Sequence, residues 1–262
     1  LEIEEKKQPK SFELEDVTVT IITNIKQTEK QIPNIFGEAA GTDDSKKDEY
    51  IIVGAHFDHI GWGKDSTRHV GTFWDQGYKI HNGADDNASG VAGMIELAKL
   101  IKENPLPNPV IFVGFNSKEF ETRGSEYFIE NPPVDLKKIV FMLNLDMIGR
   151  MNYNKLNALG ASSSMMIDTL IDTAAENSPI KINRIYTEEV RGDHYNFYDE
   201  NIPVLLLTTG MHRDYHKPGD DADKLHYGSE AKIIVFADEL LRLISFQKDK
   251  PDFRKMLAPP EE

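Results

Sequence analysis

Two rhythms of apolar residues alternate along the chain. Short, nearly continuous apolar runs at 50–55, 109–115, 138–146 and 202–208 suit strands buried on both faces. Between them, apolar residues return every three or four positions, which is the spacing of a helix face. This pattern predicts helices over 88–103, 163–177 and 229–246, and a short one over 125–130 stopped by Pro132-Pro133. In the first of these, Val91, Met94, Ile95, Ala98 and Ile101 form the expected buried face. Further strands are expected over 17–23 and 31–36, with a polar turn over 37–48. Residues 61–81 follow neither rhythm and read as a long surface loop carrying Trp62, Phe73, Trp74 and Tyr78. Strands alternating with helices predict a three-layer α/β/α sandwich around a mixed, largely parallel central sheet. No repeat or linker breaks the pattern. One domain over 1–262 is expected, with a frayed lead-in at 1–10 and a loose tail at 248–262.

A length of 262 residues is near the upper limit for one hydrophobic core. The net charge of −14 repels phosphate backbones, so no nucleic-acid partner is expected, whereas a cationic group such as a free amino terminus is attracted. No apolar run approaches the length of a membrane span, so no membrane insertion is expected. The chain has no cysteine, which removes disulfides, thiolate zinc sites, iron–sulfur clusters and cysteine nucleophiles. Any metal must be held by His, Asp and Glu. The chain opens on Leu1 without a signal-like apolar run and reads as a processed or trimmed piece of a longer product.

Sites in open α/β sheets form beyond the carboxyl ends of the strands. The run 50–55 ends in His56-Phe57-Asp58, and the run 109–115 leads to Lys118-Glu119. The run 138–146 ends at Asp146, and the run 202–208 precedes Tyr215-His216. Residues 83–90, which include Asp85 and Asp86, form a turn opening onto a helix. Each residue alone has a plain structural use. Asp85 and Asp86 could cap the following helix, and His59, His69, His81, His212 and His226 read as ordinary surface or core histidines. Their joint occurrence at successive strand ends points to a metal site, and imidazole among the donors favours zinc.

These motifs together resemble the co-catalytic di-zinc aminopeptidase family, which takes in leucine aminopeptidase, glutamate carboxypeptidase and glutaminyl cyclase relatives. The resemblance covers about residues 34–240 and rests on 54–58, 82–90, 144–149, Asp193-His194 and Tyr215-His216. It implies two zinc ions per chain, one held by His56 and Asp146, the other by Glu119 and His216, with Asp86 bridging both and a cis link to Asn87. Asp58 would accept the second imidazole N–H of His56, and Tyr215 would donate to the oxyanion. The implied activity is that of a zinc exopeptidase removing amino-terminal residues from peptides with a free amino terminus. The implied location is secreted or periplasmic.

One position departs from the family's pattern. Relatives carry two adjacent glutamates, the first a general base and the second a zinc ligand. Counting back from Gly124-Ser125, the ligand falls on Glu119 and the base position on Lys118. An ammonium beside two dications must lose its proton, swing away or weaken metal binding. Glu121 replaces the base only if the loop changes register. Two other readings follow: a weakened member that binds peptides or amino termini without turnover, and a glutaminyl-cyclase-like transferase with one zinc.

Overall fold

The continuous apolar runs form the centre of a seven-stranded sheet in the computed structural model, which describes residues 31–64, 78–176, 178–186 and 192–256, with isolated positions between 16 and 23. Contacts group Ile32–Glu262 into one unit, apart from Leu1–Gln31. In chain order the strands are β1 (Ile35–Ala39), β2 (Tyr50–His56), β3 (Gly61–Lys64), β4 (Tyr78–His81), β5 (Val110–Phe115), β6 (Ile139–Leu145), β7 (Lys155–Leu159), β8 (Lys181–Ile185) and β9 (Val204–Thr208). The large sheet runs β1-β5-β2-β6-β9-β7-β8. Its centre, β5-β2-β6-β9, is parallel, while β1 joins β5 and β7 joins β9 antiparallel.

The helices are α1 (Gly90–Glu103), α2 (Arg123–Glu130), α3 (Met165–Glu176), α4 (Asp193–Asp199) and α5 (Tyr227–Ser245). Alternate strand residues face opposite layers, as a pleated strand requires. Ile51, Val53, Val110, Phe141 and Leu143 join one core with α1, α3 and α5. Ile52, Ile111, Val113, Phe115 and Met142 join a second with Phe128 of α2 and Phe197 of α4. The sheet is therefore covered on both faces, giving the expected α/β/α sandwich.

Several local expectations need correction. The strand expected over 31–36 begins at Ile35 and runs to Ala39, into the polar turn, because its backbone pairs with β5 at the sheet edge. Of the strand expected over 17–23, only Thr18, Thr20, Ile21 and Thr23 are described, none in a strand; the rest lies outside the described residues, as does 1–10. The loop over 61–81 contains the β3–β4 ribbon, and 65–77 lies outside the described residues. Helix α1 buries Gly93, Met94, Leu97 and Ile101, leaving Ile95 48% exposed. Its buried face is rotated because Gly93 lets it approach Ile148; a Cβ there would lie 2.6 Å from Ile148 Cδ1. The tail is not loose through Met256. Pro251 and Met256 are buried, Asp252 Oδ1 and Oδ2 accept N–H groups at the start of α3, and Met256 N donates to Tyr198 Oη.

Candidate metal centre

Four neighbouring parallel strands end on the same edge of the sheet, and each delivers a polar side chain there. His56 is the last residue of β2, and Asp146 follows β6, its N–H donating to Leu207 O of β9. Lys118 and Glu119 form a short 3-10 turn after β5, and His216 lies beyond β9. Asp86 enters from a kinked turn over Ala84–Ser89, between β4 and α1, and its peptide link to Asn87 is cis. Three of these turns place non-glycine residues in the left-handed region: Ser117 (φ 57°), Met147 (φ 58°) and His216 itself (φ 57°). Such conformations are costly and persist where surrounding structure enforces them.

The five side chains proposed as donors converge. His56 Nε2 lies 3.2 Å from Asp86 Oδ1 and 3.5 Å from Asp146 Oδ1. His216 Nε2 lies 3.1 Å from Asp86 Oδ2 and 3.2 Å from Glu119 Oε2. Asp86 thus turns one oxygen to each imidazole. Among the described residues, His56 Nε2, His216 Nε2, Asp86 Oδ2 and Asp146 Oδ1 are buried without a hydrogen-bond partner. Buried polar atoms are normally paired. Unpaired imidazole nitrogens facing carboxylates are a donor set that fits zinc.

Lys118 occupies the middle of this set. Its Nζ is 3.5 Å from Asp86 Oδ1, 3.4 Å from Glu119 Oε1 and 3.6 Å from Asp146 Oδ2. Burial opposes charge on every group here, and pairing outweighs it. His56 is held well above the ordinary imidazole value by Asp146, Asp58 and Asp86, and Lys118 is raised by Asp146, Asp86 and Glu119. Asp86 and Glu119 are lowered by His216 first, and Asp146 by the Lys118 ammonium. Glu121 does not replace Lys118: its side chain is 84% exposed and pairs with Arg123.

The closest contact from Asp58 to His56 is made by its main chain rather than its carboxylate. The Nδ1 atom of His56 lies 3.0 Å from Asp58 O, the main-chain carbonyl, and 3.6 Å from Oδ1. The carboxylate accepts the backbone N–H groups of Lys118 at 3.0 Å and Glu119 at 3.2 Å. Two sharp ends of strand, β2 and β5, are tied together this way. Tyr215 stacks on His216, with ring centroids 3.8 Å apart, and lines a cleft of about 880 Å3 with Lys118, Asp146, Tyr195 and Met211.

The family model for peptidase family M28 matches residues 34–238. The chain belongs to this family. Leucine aminopeptidase 2 of Arthroderma otae is 24% identical over 243 residues, covering 81% of this chain and 45% of that protein. An Escherichia coli protein, YfbL, itself uncharacterized, is 27% identical over 219 residues, covering 70% of this chain and 64% of that one. Among solved structures, BSAP, a zinc aminopeptidase from Bacillus subtilis, aligns with a TM-score of 0.65 at 21% identity, covering 79% of this chain and 49% of that one. That last likeness is one of fold. The chain spans about half to two-thirds of the length of these proteins.

Several residues that shape this peptidase-family site carry no strong mark in the sequence. His59, read as an ordinary histidine, places Nδ1 3.8 Å from Asp86 Oδ2 and 4.0 Å from Glu119 Oε1. Its signal was its position three residues after His56. Asp85 does not cap α1 but accepts the Gly149 N–H at 2.6 Å and faces His212 Nε2 at 3.3 Å. Asp220 Oδ2 accepts the N–H groups of both Asp85 and Asp86, at 2.9 and 3.0 Å, and its other oxygen is held by Arg150. Asp193, from the motif without a derived role, accepts the Ser125 hydroxyl at 2.6 Å and so joins α4 to the start of α2. Burial pushes Asp193 up to about 6 and His194 down to about 4.

Proposed function

We propose that this chain is a zinc-dependent exopeptidase that removes amino-terminal residues from peptides. The observation carrying this reading is the convergence of His56, Asp86, Glu119, Asp146 and His216, with their imidazole nitrogens facing carboxylates and unpaired, beside the cleft lined by Tyr215. These five residues would hold zinc. When bound, zinc supplies Lewis-acid polarisation of a carbonyl and activation of water.

The chain's own groups do the rest. Asp58 fixes the turn presenting Glu119, and its carbonyl fixes the orientation of His56. Tyr215 supplies a hydroxyl at the cleft wall as a donor to the developing oxyanion. Glu126 and Asp199 line the same cleft and favour a cationic amino terminus. Hydrolysis of peptides with free and with acetylated amino termini tests the reading. Release of the first residue from the free peptide alone, lost on chelation and restored by zinc, is the expected result. Cleavage of both peptides alike, or of neither with zinc bound, would contradict it.

A second reading is favoured by one observation: an ammonium, not a carboxylate, occupies the general-base position among the donors. While charged, Lys118 can stabilise an anion or give a proton but cannot take one. The chain would then bind amino termini and turn them over slowly or not at all. Lys118→Glu separates the two. A gain on the order of 10²–10⁴-fold in kcat, with little change in KM, marks a site that turns substrate over once a carboxylate replaces the ammonium. No gain marks a site built for binding.

A further inference from the structure

We propose that the site holds a single zinc ion, coordinated by His59 together with Asp86, Glu119 and His216, and that the Lys118 ammonium takes the place of a second ion. This inference rests on the zinc reading above and refines it.

The two sides of Asp86 are unlike. On the Oδ2 side stand two imidazoles and a second carboxylate. His216 Nε2 is 3.1 Å from Asp86 Oδ2 and 3.2 Å from Glu119 Oε2, and His59 Nδ1 is 3.8 Å from Asp86 Oδ2 and 4.0 Å from Glu119 Oε1. Donors bonded to one zinc at about 2.0–2.2 Å stand roughly 3–4 Å apart, and each imidazole lies in that range from both carboxylates. His59, Asp86 and Glu119 form one group with ligand atoms within 4.8 Å of one another; His56, Asp86 and Asp146 form another, and it is this second group that Lys118 Nζ enters. Zinc also expands from four to five ligands, which leaves a place for substrate or water.

His59 is held for this position. Its side chain is 9% exposed, and neither ring nitrogen has a hydrogen-bond partner among the described residues. Gly83 backs the ring at φ 61°, and a Cβ there would lie 2.6 Å from His59 Cγ. The glycine thus makes room for the imidazole, while the ring's nitrogens are left without protein hydrogen bonds. A buried imidazole with two idle nitrogens beside two carboxylates is costly unless something bonds to it.

On the Oδ1 side, His56 stands alone among imidazoles, and Lys118 Nζ lies within 3.4–3.6 Å of Asp86, Glu119 and Asp146. Charge decides what else fits. The three carboxylates lining the cluster are neutralised by one dication and one ammonium. Asp58 accepts the backbone amides of Lys118 and Glu119 and faces His56 Nδ1 at 3.6 Å, so these two pair with each other outside the count. A second dication would stand beside the ammonium and leave a buried surplus of positive charge, which the interior does not tolerate without partners. Replacing Lys118 by Glu reverses this count, since four carboxylates then match two dications.

The test is zinc per chain after dialysis against low free zinc, with cobalt absorption spectra on the same proteins. The unmodified chain is expected to hold one zinc and Lys118→Glu two. His59→Ala is expected to weaken zinc binding by at least the 10–100-fold that loss of a supporting partner costs, roughly, and to shift the cobalt bands. His59→Gln serves as the check if the alanine variant melts early. Two zinc ions in the unmodified chain would overturn this inference while leaving the zinc reading intact. So would a His59 variant with unchanged zinc affinity and cobalt spectrum. No zinc in the unmodified chain would overturn the zinc reading itself.

Discussion

The carboxylate of Asp58 accepts the N–H groups of Lys118 and Glu119, while its own carbonyl meets His56 Nδ1. One residue therefore serves three donors by three different atoms. Asp58→Asn keeps the carbonyl contact to His56 but offers only one acceptor to the two amides. Zinc affinity is expected to fall about 10–100-fold through Glu119, with an unchanged fold. Calorimetric titration with zinc checks this; an unchanged affinity would show that the turn holds itself. At this scale much of the site was legible, because His56, Glu119, Asp146 and Tyr215-His216 each follow a recognisable apolar run and Asp86 opens the turn into a helix. His59 was not legible. Whether an imidazole reaches a site depends on which way the chain turns after the strand, and here Gly83 provides the space.

Elements are joined to the site by residues that touch none of the proposed chemistry. Asn87 Nδ2 donates to Leu145 O at 2.9 Å, and its Oδ1 accepts Gly90 N and Met147 N at 3.1 and 2.9 Å. The end of β6 and the start of α1 are thereby locked to the turn carrying Asp86. Helix α5 meets the same turn less comfortably. Glu230 is buried, its Oε2 has no hydrogen-bond partner among the described residues, and burial together with Asp85 pushes its carboxyl up to about 7. A carboxyl with a folded pKa above its ordinary value of 4.5 destabilises the fold when ionised. That cost is complete above pH 7 and is relieved as pH falls towards 4.5. Glu230→Gln is therefore expected to melt higher at pH 8, by about 2–4 °C per kcal/mol gained. Melting curves of both proteins should converge near pH 4.5; a constant difference across pH would contradict the assignment. The central strands were legible because burial on both faces leaves unbroken apolar runs. Strands β7 and β8 and helix α4 were not, since KLNAL, KINRI and DHYNFYD carry polar residues at positions that pairing and neighbouring helices cover.

Over the whole molecule, 44 acidic side chains against 30 basic ones surround a cleft that also presents acidic side chains. A ligand with a free amino terminus is attracted from a distance, and added salt screens that attraction. The affinity for such a peptide is expected to fall as ionic strength rises from about 0.01 M to about 1 M, where the Debye length shrinks from about 30 Å to about 3 Å. An acetylated peptide should show little dependence. Equal salt dependence of the two would remove the long-range field from the picture. Fold class was legible at this scale from the alternation of strands and helices. The packing of residues 251–256 was not, because it depends on contacts with Ser163, Ser164 and Tyr198 far back in the chain. The most direct test of the metal centre is anomalous diffraction at the zinc edge from zinc-loaded crystals. The expected result is a peak bonded to Asp86, Glu119 and His216; no peak among the strand-end donors, or zinc bound only elsewhere, would contradict it.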